Sequence, residues 1–270
     1  MREKLTVLIP CRNEQNNIRE CIESARPIAD EFLIADSLSD DHTLDIVRAI
    51  GGCRIIQREF VDMGNFKNWA IPQAAHAWVF VLDADERVTP ELATEINKLK
   101  QSGLRKKAYW VYRRNHFMGH PVRFGGWAAD KVIRLFRRDD CRYLEYTDHT
   151  EVDIAKSKTG TLRQKMVHFT CWDFEQYLRK TQRYTDQQAE LWFQNQKPFR
   201  FLKLVSVGPA RFVRDYLLRL GFLDGAVGFQ LAALTGFYSF LKQAKLWHKY
   251  YAADPPRDAD WTDTANGIAA

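Results

Sequence analysis

The chain opens as an alternation of two hydrophobic periods. Leu5 to Pro10 is a short apolar run that predicts a buried strand. Ile18, Cys21, Ile22 and Ala25 follow at helical spacing, with Asn16 or Asn17 as the cap. Glu31 to Asp36 predicts a second strand. Ser39 to Asp41 can cap a helix carrying Leu44, Val47 and Ile50, ended by Gly51-Gly52. Cys53 to Phe60 reads as a third strand, Asn65 to His76 as a helix disturbed by Pro72, and Ala77 to Leu82 as a fourth strand. Thr89 as cap, with Pro90 at the first helical position, opens a helix on Leu92, Ile96 and Leu99.

This alternation predicts an α/β fold, a mostly parallel sheet flanked by helices, and such sheets bind ligands beyond the carboxyl ends of their strands. Pro10 to Glu14, Asp36 and Asp83-Ala84-Asp85 all follow strand ends, so they gather along one edge. The middle of the chain differs. Ala108 to Phe117, Lys131 to Arg138 and Leu162 to Thr170 read as strands with no helices between them, and His120–Asp130 and Asp140–Gly160 as loops over the site. From Asp173, which forms a capping box with Gln176, the helical period returns through Phe174, Tyr177, Leu178, Thr181 and Tyr184. The expected division is a catalytic domain over 1–172, a helical region over 173–250 and a flexible tail over 251–270.

Composition adds bounds. The 270 residues are 46% hydrophobic, enough for a sizeable core, and the net charge of +6 suits an anionic partner. No interleaving of basic and aromatic residues marks a nucleic-acid surface, so none is expected as partner. The five cysteines are scattered, without metal-ligand spacing, and read as reduced thiols in a cytosolic protein. The apolar run near the N-terminus is too short for a signal peptide, and no segment stays apolar for the ~20 residues of a membrane span.

The stretch WVFVLDADERVTPEL holds the chemistry. An apolar strand ends in Asp83, Asp85 and Glu86. Two carboxylates two residues apart after a strand can be aimed at one Mg2+ or Mn2+ ion, which binds through one or two carboxylates plus substrate phosphates. The plainer alternative is that they cap the following helix or form surface ion pairs. Glu86 fits better as a salt-bridge partner behind them.

Four blocks, LTVLIPCRNEQNNIRECIES, EFLIADSLSDDHT, NFKNWAIPQA and WVFVLDADERVTPEL, resemble in order the GT-A-fold, family 2 inverting glycosyltransferases. The likeness extends to the bacterial β-glucosyltransferases of the lipopolysaccharide inner core. It covers most of the chain and is strongest from Leu5 to about Leu99. It implies that Pro10, Arg12 and Glu14 at the first strand end, Asp36 at the second, Lys67 and Asn68 before the acidic strand, and Asp83 contact a UDP-sugar. It implies further that Asp83 and Asp85 hold the metal. Each also has a plain reading: Arg12 with Glu14 as a surface ion pair, Asp36 as a loop cap, Lys67 on a solvated face.

An inverting transfer needs a carboxylate base facing the sugar. The resemblance points first to Glu151, in YTDHTEVDI beside His149, although Thr150 separates the His and Glu that usually adjoin. Asp130 is the second candidate, after a Gly-rich loop whose Trp127 suits a sugar's apolar face. His168 either contacts acceptor or diphosphate or is a core histidine, and Arg134, Arg137 and Arg138 face anions or solvent.

The segment 199–222 is basic and apolar. Arg200, Lys203, Arg211 and Arg214 fall on one helical face, and Gly208-Pro209 is expected to break or kink it. The pattern suits a helix lying in a membrane interface, which would place the protein peripherally on the inner face of the cytoplasmic membrane near a lipid-anchored glycan acceptor. The alternative is packing on the catalytic domain or in a dimer. The leading expectation is a UDP-glucose-dependent glycosyltransferase acting on such an acceptor. A polyprenyl-phosphate acceptor is a variant of it. A haloacid dehalogenase-type phosphotransferase is the alternative from another class, disfavoured because Arg87 follows the acids and the motif ends the fourth strand, not the first.

Overall fold

Successive side chains of β1 (Leu5–Cys11) point to opposite faces, and every one of them is buried. The computed structural model, which describes residues 2–144 and 151–252, builds two cores around this strand. Leu5, Val7 and Ile9 join one cluster with α1 (Ile18–Ala25), α2 (Thr43–Ile50) and α4 (Pro90–Ser102). Leu8 joins the other, with Phe66 and Ala70 of α3 (Met63–Ala70) and with Tyr143.

β1 lies in parallel between β2 (Glu31–Asp36) and β4 (Trp78–Val81), and β3 (Cys53–Gln57) extends the sheet beyond β2. On the other side β8 (Lys131–Arg137) runs antiparallel to both β4 and β6 (Ala108–Phe117). β6 pairs in parallel with the long β9 (Thr159–Cys171), and the two-residue β5 (Glu86–Arg87) closes that edge. β7 (His120–Pro121) forms a small hairpin on β6. This is the GT-A-like arrangement expected: a parallel half carrying the strand ends and a mixed half crossing beneath them.

Local chemistry accounts for the boundaries. Thr89 accepts the Leu92 amide and Pro90 sits at the first helical position, as predicted. Asn17 occupies a cap position, but its amide donates to Glu14 at 2.8 Å instead of capping α1. β3 stops at Gln57, short of Phe60, because its partner β2 ends at Asp36 and leaves nothing to pair with. α3 begins before Asn65, where Asp62 accepts the Asn65 amide at 2.8 Å, and ends before Pro72, which lies in a single tight turn over Ile71–Gln73. β9 begins at Thr159 rather than Leu162, drawn out by pairing along β6.

After β9, Asp173 accepts the Gln176 amide at 2.7 Å and starts α5 (Phe174–Gln194). Helices α6 (Phe201–Val213) and α7 (Gly225–Tyr251) follow. Pro209 does not break α6. The carbonyl deprived of its partner belongs to Val205, on an exposed part of the helix, while neighbouring Gly208 packs closely on Gly236 of α7. The chain bends instead between Arg214 and Asp224, where α6 and its continuation meet α7 at 73° and Leu220 takes a left-handed conformation. The expected tail beyond Ala252 lies outside the described residues.

One buried cation ties the sheet's lower end together. Lys100, 1% exposed, donates to the Ile28 carbonyl at 2.7 Å and to Asp30 at 2.5 Å. Burial alone would raise the Asp30 carboxyl, but Lys100, the Leu5 amide and Arg2 together hold it below its usual range. That stabilisation is complete above the unfolded carboxylate value of about 4 and is lost as pH falls through the lower folded one. Asp30→Asn should therefore cost about 2 kcal/mol at neutral pH, because it leaves a buried ammonium unpaired. Urea unfolding at neutral and at acid pH checks this: the gap between variant and wild type should shrink towards pH 3, on the order of one unit below that value.

Candidate active site

The turn after β4 is held by charge. Asp83 lies 2.8 Å from the Lys67 ammonium and also pairs with Arg134. Arg134 reaches Glu86 at 2.6 Å, and Glu86, fully buried, accepts the Asp83 amide at 3.2 Å. Burial opposes the charge on Asp83, but Arg134 and then Lys67 hold its carboxyl well below the usual carboxylate range. Glu86 is thus the salt-bridge partner its position suggested.

Asp85 points elsewhere. Its carboxylate lies 3.6 Å from His168 Nε2 and 4.0 Å from the Lys180 ammonium. Burial raises the Asp85 carboxyl, but His168 outweighs this and lowers it overall. The sheet register sets up the alignment, since Glu86 of β5 pairs with His168 of β9, which pairs with Asn115 of β6. Asn115 Nδ2 donates to the Trp127 carbonyl at 2.9 Å and to Asp130 at 3.1 Å. Both are acceptors, so the Asn115 oxygen must face His168 Nδ1, 2.6 Å away. Nδ1 then carries a hydrogen, and Nε2 faces the Asp85 carboxylate. A carboxylate and an imidazole nitrogen set side by side can pair directly or together ligate a divalent ion.

The surroundings complete the cleft. Arg12 is exposed, and Pro10 is buried in β1 beside Ala35. Glu14 accepts from Asn17, and burial pushes its carboxyl up. Asp36 is fully buried and accepts from Ser39 and from Gln57 at 2.9 Å. The loops after β1 and β2 are stitched by Asn13, whose amide donates to Asp40 at 2.6 Å.

Residues 6–122 match the sequence model of the family described as Glycosyl transferase family 2. They are a family 2 glycosyltransferase domain. The transferase is 28% identical over 256 residues to the lipopolysaccharide core biosynthesis glycosyltransferase LpsC of Rhizobium meliloti, covering 91% of this chain and 93% of that one. It is 26% identical to an uncharacterized glycosyltransferase of Rickettsia typhi, over 90% and 87% of the two chains. A crystal structure of S. aureus TarS residues 1–349 in complex with UDP aligns over 94% of each chain with a TM-score of 0.47 and 14% identity, too slight a likeness to build on.

Within the transferase the expected site residues part company. Asp83, Asp85, Lys67, His168, Asp130 and Trp127 fall into one connected network. The Asn68 side chain anchors the chain at Tyr143, donating to the Tyr143 carbonyl at 2.9 Å and accepting the Tyr143 amide at 2.8 Å. Asp130 is gripped by Arg113, with Nε at 2.8 Å and a terminal nitrogen at 2.6 Å. Glu151 is exposed, its carbonyl accepting from the Leu144 amide at 2.8 Å, and its carboxylate makes no ion pair among the described residues. His149 lies outside the described residues. Among the described residues no three His, Cys, Asp or Glu side chains form a complete metal cage.

Sequence reasoning passed over Arg113, Asn115 and Lys180, and left Arg134 between anions and solvent. Arg134 had a readable signal, a charge inside the apolar run of β8, where a strand buried on both faces tolerates one only with a partner. Arg113 and Asn115 share a face of β6 by the period of two. Nothing local marks Lys180, which reaches the site from α5. Arg134→Met leaves Asp83 and Glu86 short of their shared cation and should cost about 3–5 kcal/mol. Chemical denaturation measures it, and the double variant Arg134→Met, Glu86→Leu should recover part of the loss.

Proposed function

We propose that the protein is an inverting, metal-dependent transferase that moves a sugar, glucose in the first instance, from a UDP-sugar to a lipid-anchored glycan such as the lipopolysaccharide inner core. The similarity to LpsC along nearly the whole chain supports the acceptor class. The observation that carries the chemistry is the Asp85 carboxylate facing His168 Nε2 at 3.6 Å beside the Asp83 clamp. Asp85 and His168 would hold the divalent ion, and a nitrogen donor favours Mn2+ over Mg2+, which prefers oxygen alone. The bound ion would offset charge on the departing diphosphate. Asp83, held by Lys67 and Arg134, orients the turn.

In the transfer the acceptor hydroxyl oxygen attacks the anomeric carbon from the face opposite UDP. The bond from that carbon to the phosphate oxygen breaks, and its electron pair leaves with UDP. Glu151 takes the hydroxyl proton. Asp130 is the weaker choice of base, because Arg113 and Asn115 already occupy its carboxylate. Lys180, beside Asp85, would meet the diphosphate, and Asp36 would recognise the uracil.

Helices α6 and α7 support a peripheral membrane role. Among the described residues no single helix is long and apolar enough to cross a membrane. Yet Phe201, Leu202 and Leu218 stand 69, 74 and 75% exposed, a surface suited to a lipid interface.

Glu151→Gln should keep Mn2+-dependent UDP binding by calorimetry while transfer falls about 10²–10⁴-fold. If Asp130→Asn shows that pattern and Glu151→Gln does not, the base is Asp130. His168→Ala should abolish the Mn2+ dependence of UDP binding, and undiminished dependence would overturn the metal assignment.

A further inference from the structure

The helical region encloses a second site that the transfer chemistry does not use. A cavity of about 320 Å³ lies among α5, α6 and α7, lined by Trp192, Arg211, Arg214, Ser239, Lys242 and Gln243. Its charge is unbalanced in a specific way. Asp215 is buried, with a side chain 4% exposed, and receives Arg211 Nε at 2.9 Å, Arg214 Nε at 3.1 Å and Arg219 at 3.4 Å. One carboxylate therefore serves three guanidinium groups and leaves a surplus of two positive charges. Between α5 and α7, by contrast, charges pair one to one: Lys245 with Asp186 at 2.7 Å and Lys249 with Glu190 at 2.5 Å.

The surplus is also oriented. Arg211 and Arg214 each engage Asp215 through Nε, and among the described residues their terminal nitrogens have no hydrogen-bond or ion-pair partner. Both side chains are thus held by a buried anion, and both line the cavity. Lys242 adds an ammonium held over the Tyr238 ring at 4.7 Å, and the largely buried Gln243 adds an amide. Two forked guanidinium groups, an ammonium and an amide around one concavity match the several oxygens of a phosphate ester better than a single carboxylate.

We propose that this cavity binds a phosphate ester, carried either by a membrane lipid or by a dissolved phosphorylated sugar or polyol. Arg211 and Arg214 of its lining lie on α6 and its continuation, which also carry the exposed Phe201, Leu202 and Leu218. Asp215 also lies against Gly126, where a Cβ would come within 2.7 Å of its carboxylate oxygen. The anion site is thus joined to the loop that carries Trp127.

The test needs no donor sugar, so its result is separate from that of the transferase reading. The full-length protein is mixed with phosphatidylcholine vesicles with and without phosphatidic acid, and in a second arm with dissolved glycerol phosphate. Arg211→Gln with Arg214→Gln should weaken phosphate-ester binding by about tenfold or more. Lys242→Gln, which leaves the Asp215 cluster intact, should weaken it in the same direction and covers the case in which the double variant folds poorly. Lys98→Gln removes an exposed charge from α4, outside the helical region, and should leave it unchanged. Binding to phosphatidic acid vesicles alone assigns the site to a lipid, and binding to dissolved glycerol phosphate alone to a soluble ester. Binding in neither arm, or an equal loss in Lys98→Gln, overturns the proposal.

Discussion

One buried carboxylate, Glu86, and one partly exposed, Asp83, share a buried arginine, and the rest of the site is arranged around that sharing. Burying Glu86 and Arg134 and partly desolvating Asp83 is costly, and Lys67 and Arg113 offset the cost with further contacts at 2.8 and 3.5 Å. The groups come from α3, the β4 turn, β5, β6 and β8. The cluster therefore pins the parallel half of the sheet to the mixed half at the point where the cleft opens. A turn so constrained leaves Asp85 as the acid free to face His168.

From Asp85 outward the order is carried by register. His168 stands between Glu86 and Asn115 in adjacent strands, and Asn115 reaches the loop before β8 through the Trp127 carbonyl. That same loop is fixed from the other side. Asp224, just before α7, accepts the Arg123 and Phe124 amides at 2.9 and 2.8 Å, and the Arg219 carbonyl accepts the Gly125 amide at 2.9 Å. The bend between α6 and α7 and the imidazole that faces Asp85 are thus two ends of one short chain of hydrogen bonds. A helical region offering an apolar face and an anion cavity is in this way mechanically continuous with the catalytic cleft.

The first half of the chain was legible because its signals are local. Thr89-Pro90, Gly51-Gly52 and the apolar runs of β1, β2 and β4 each state a period or a stop within a few residues, and the structure follows them closely. Errors arose where partners at a distance decided the outcome. β3 ended early because β2 had no more edge to offer, and β9 began early because β6 did. Pro209 was tolerated because a glycine contact with α7 holds α6 in place while the carbonyl that loses its partner sits on the exposed side.

The sequence by itself determined that strand ends bearing Pro10 to Glu14, Asp36 and Asp83 to Glu86 would lie along one edge, since parallel βα units permit little else. It could not say which acid faces which cation. Asp83 and Asp85 are equivalent in pattern, yet one is locked by Lys67 and Arg134 and the other meets His168, more than eighty residues later in the chain. That choice depends on the direction in which a tight turn points each carboxylate and on the charges that distant strands bring to meet it. Only the tertiary structure decided it, because electrostatic partners are selected by distance and burial and leave no periodic trace along the chain.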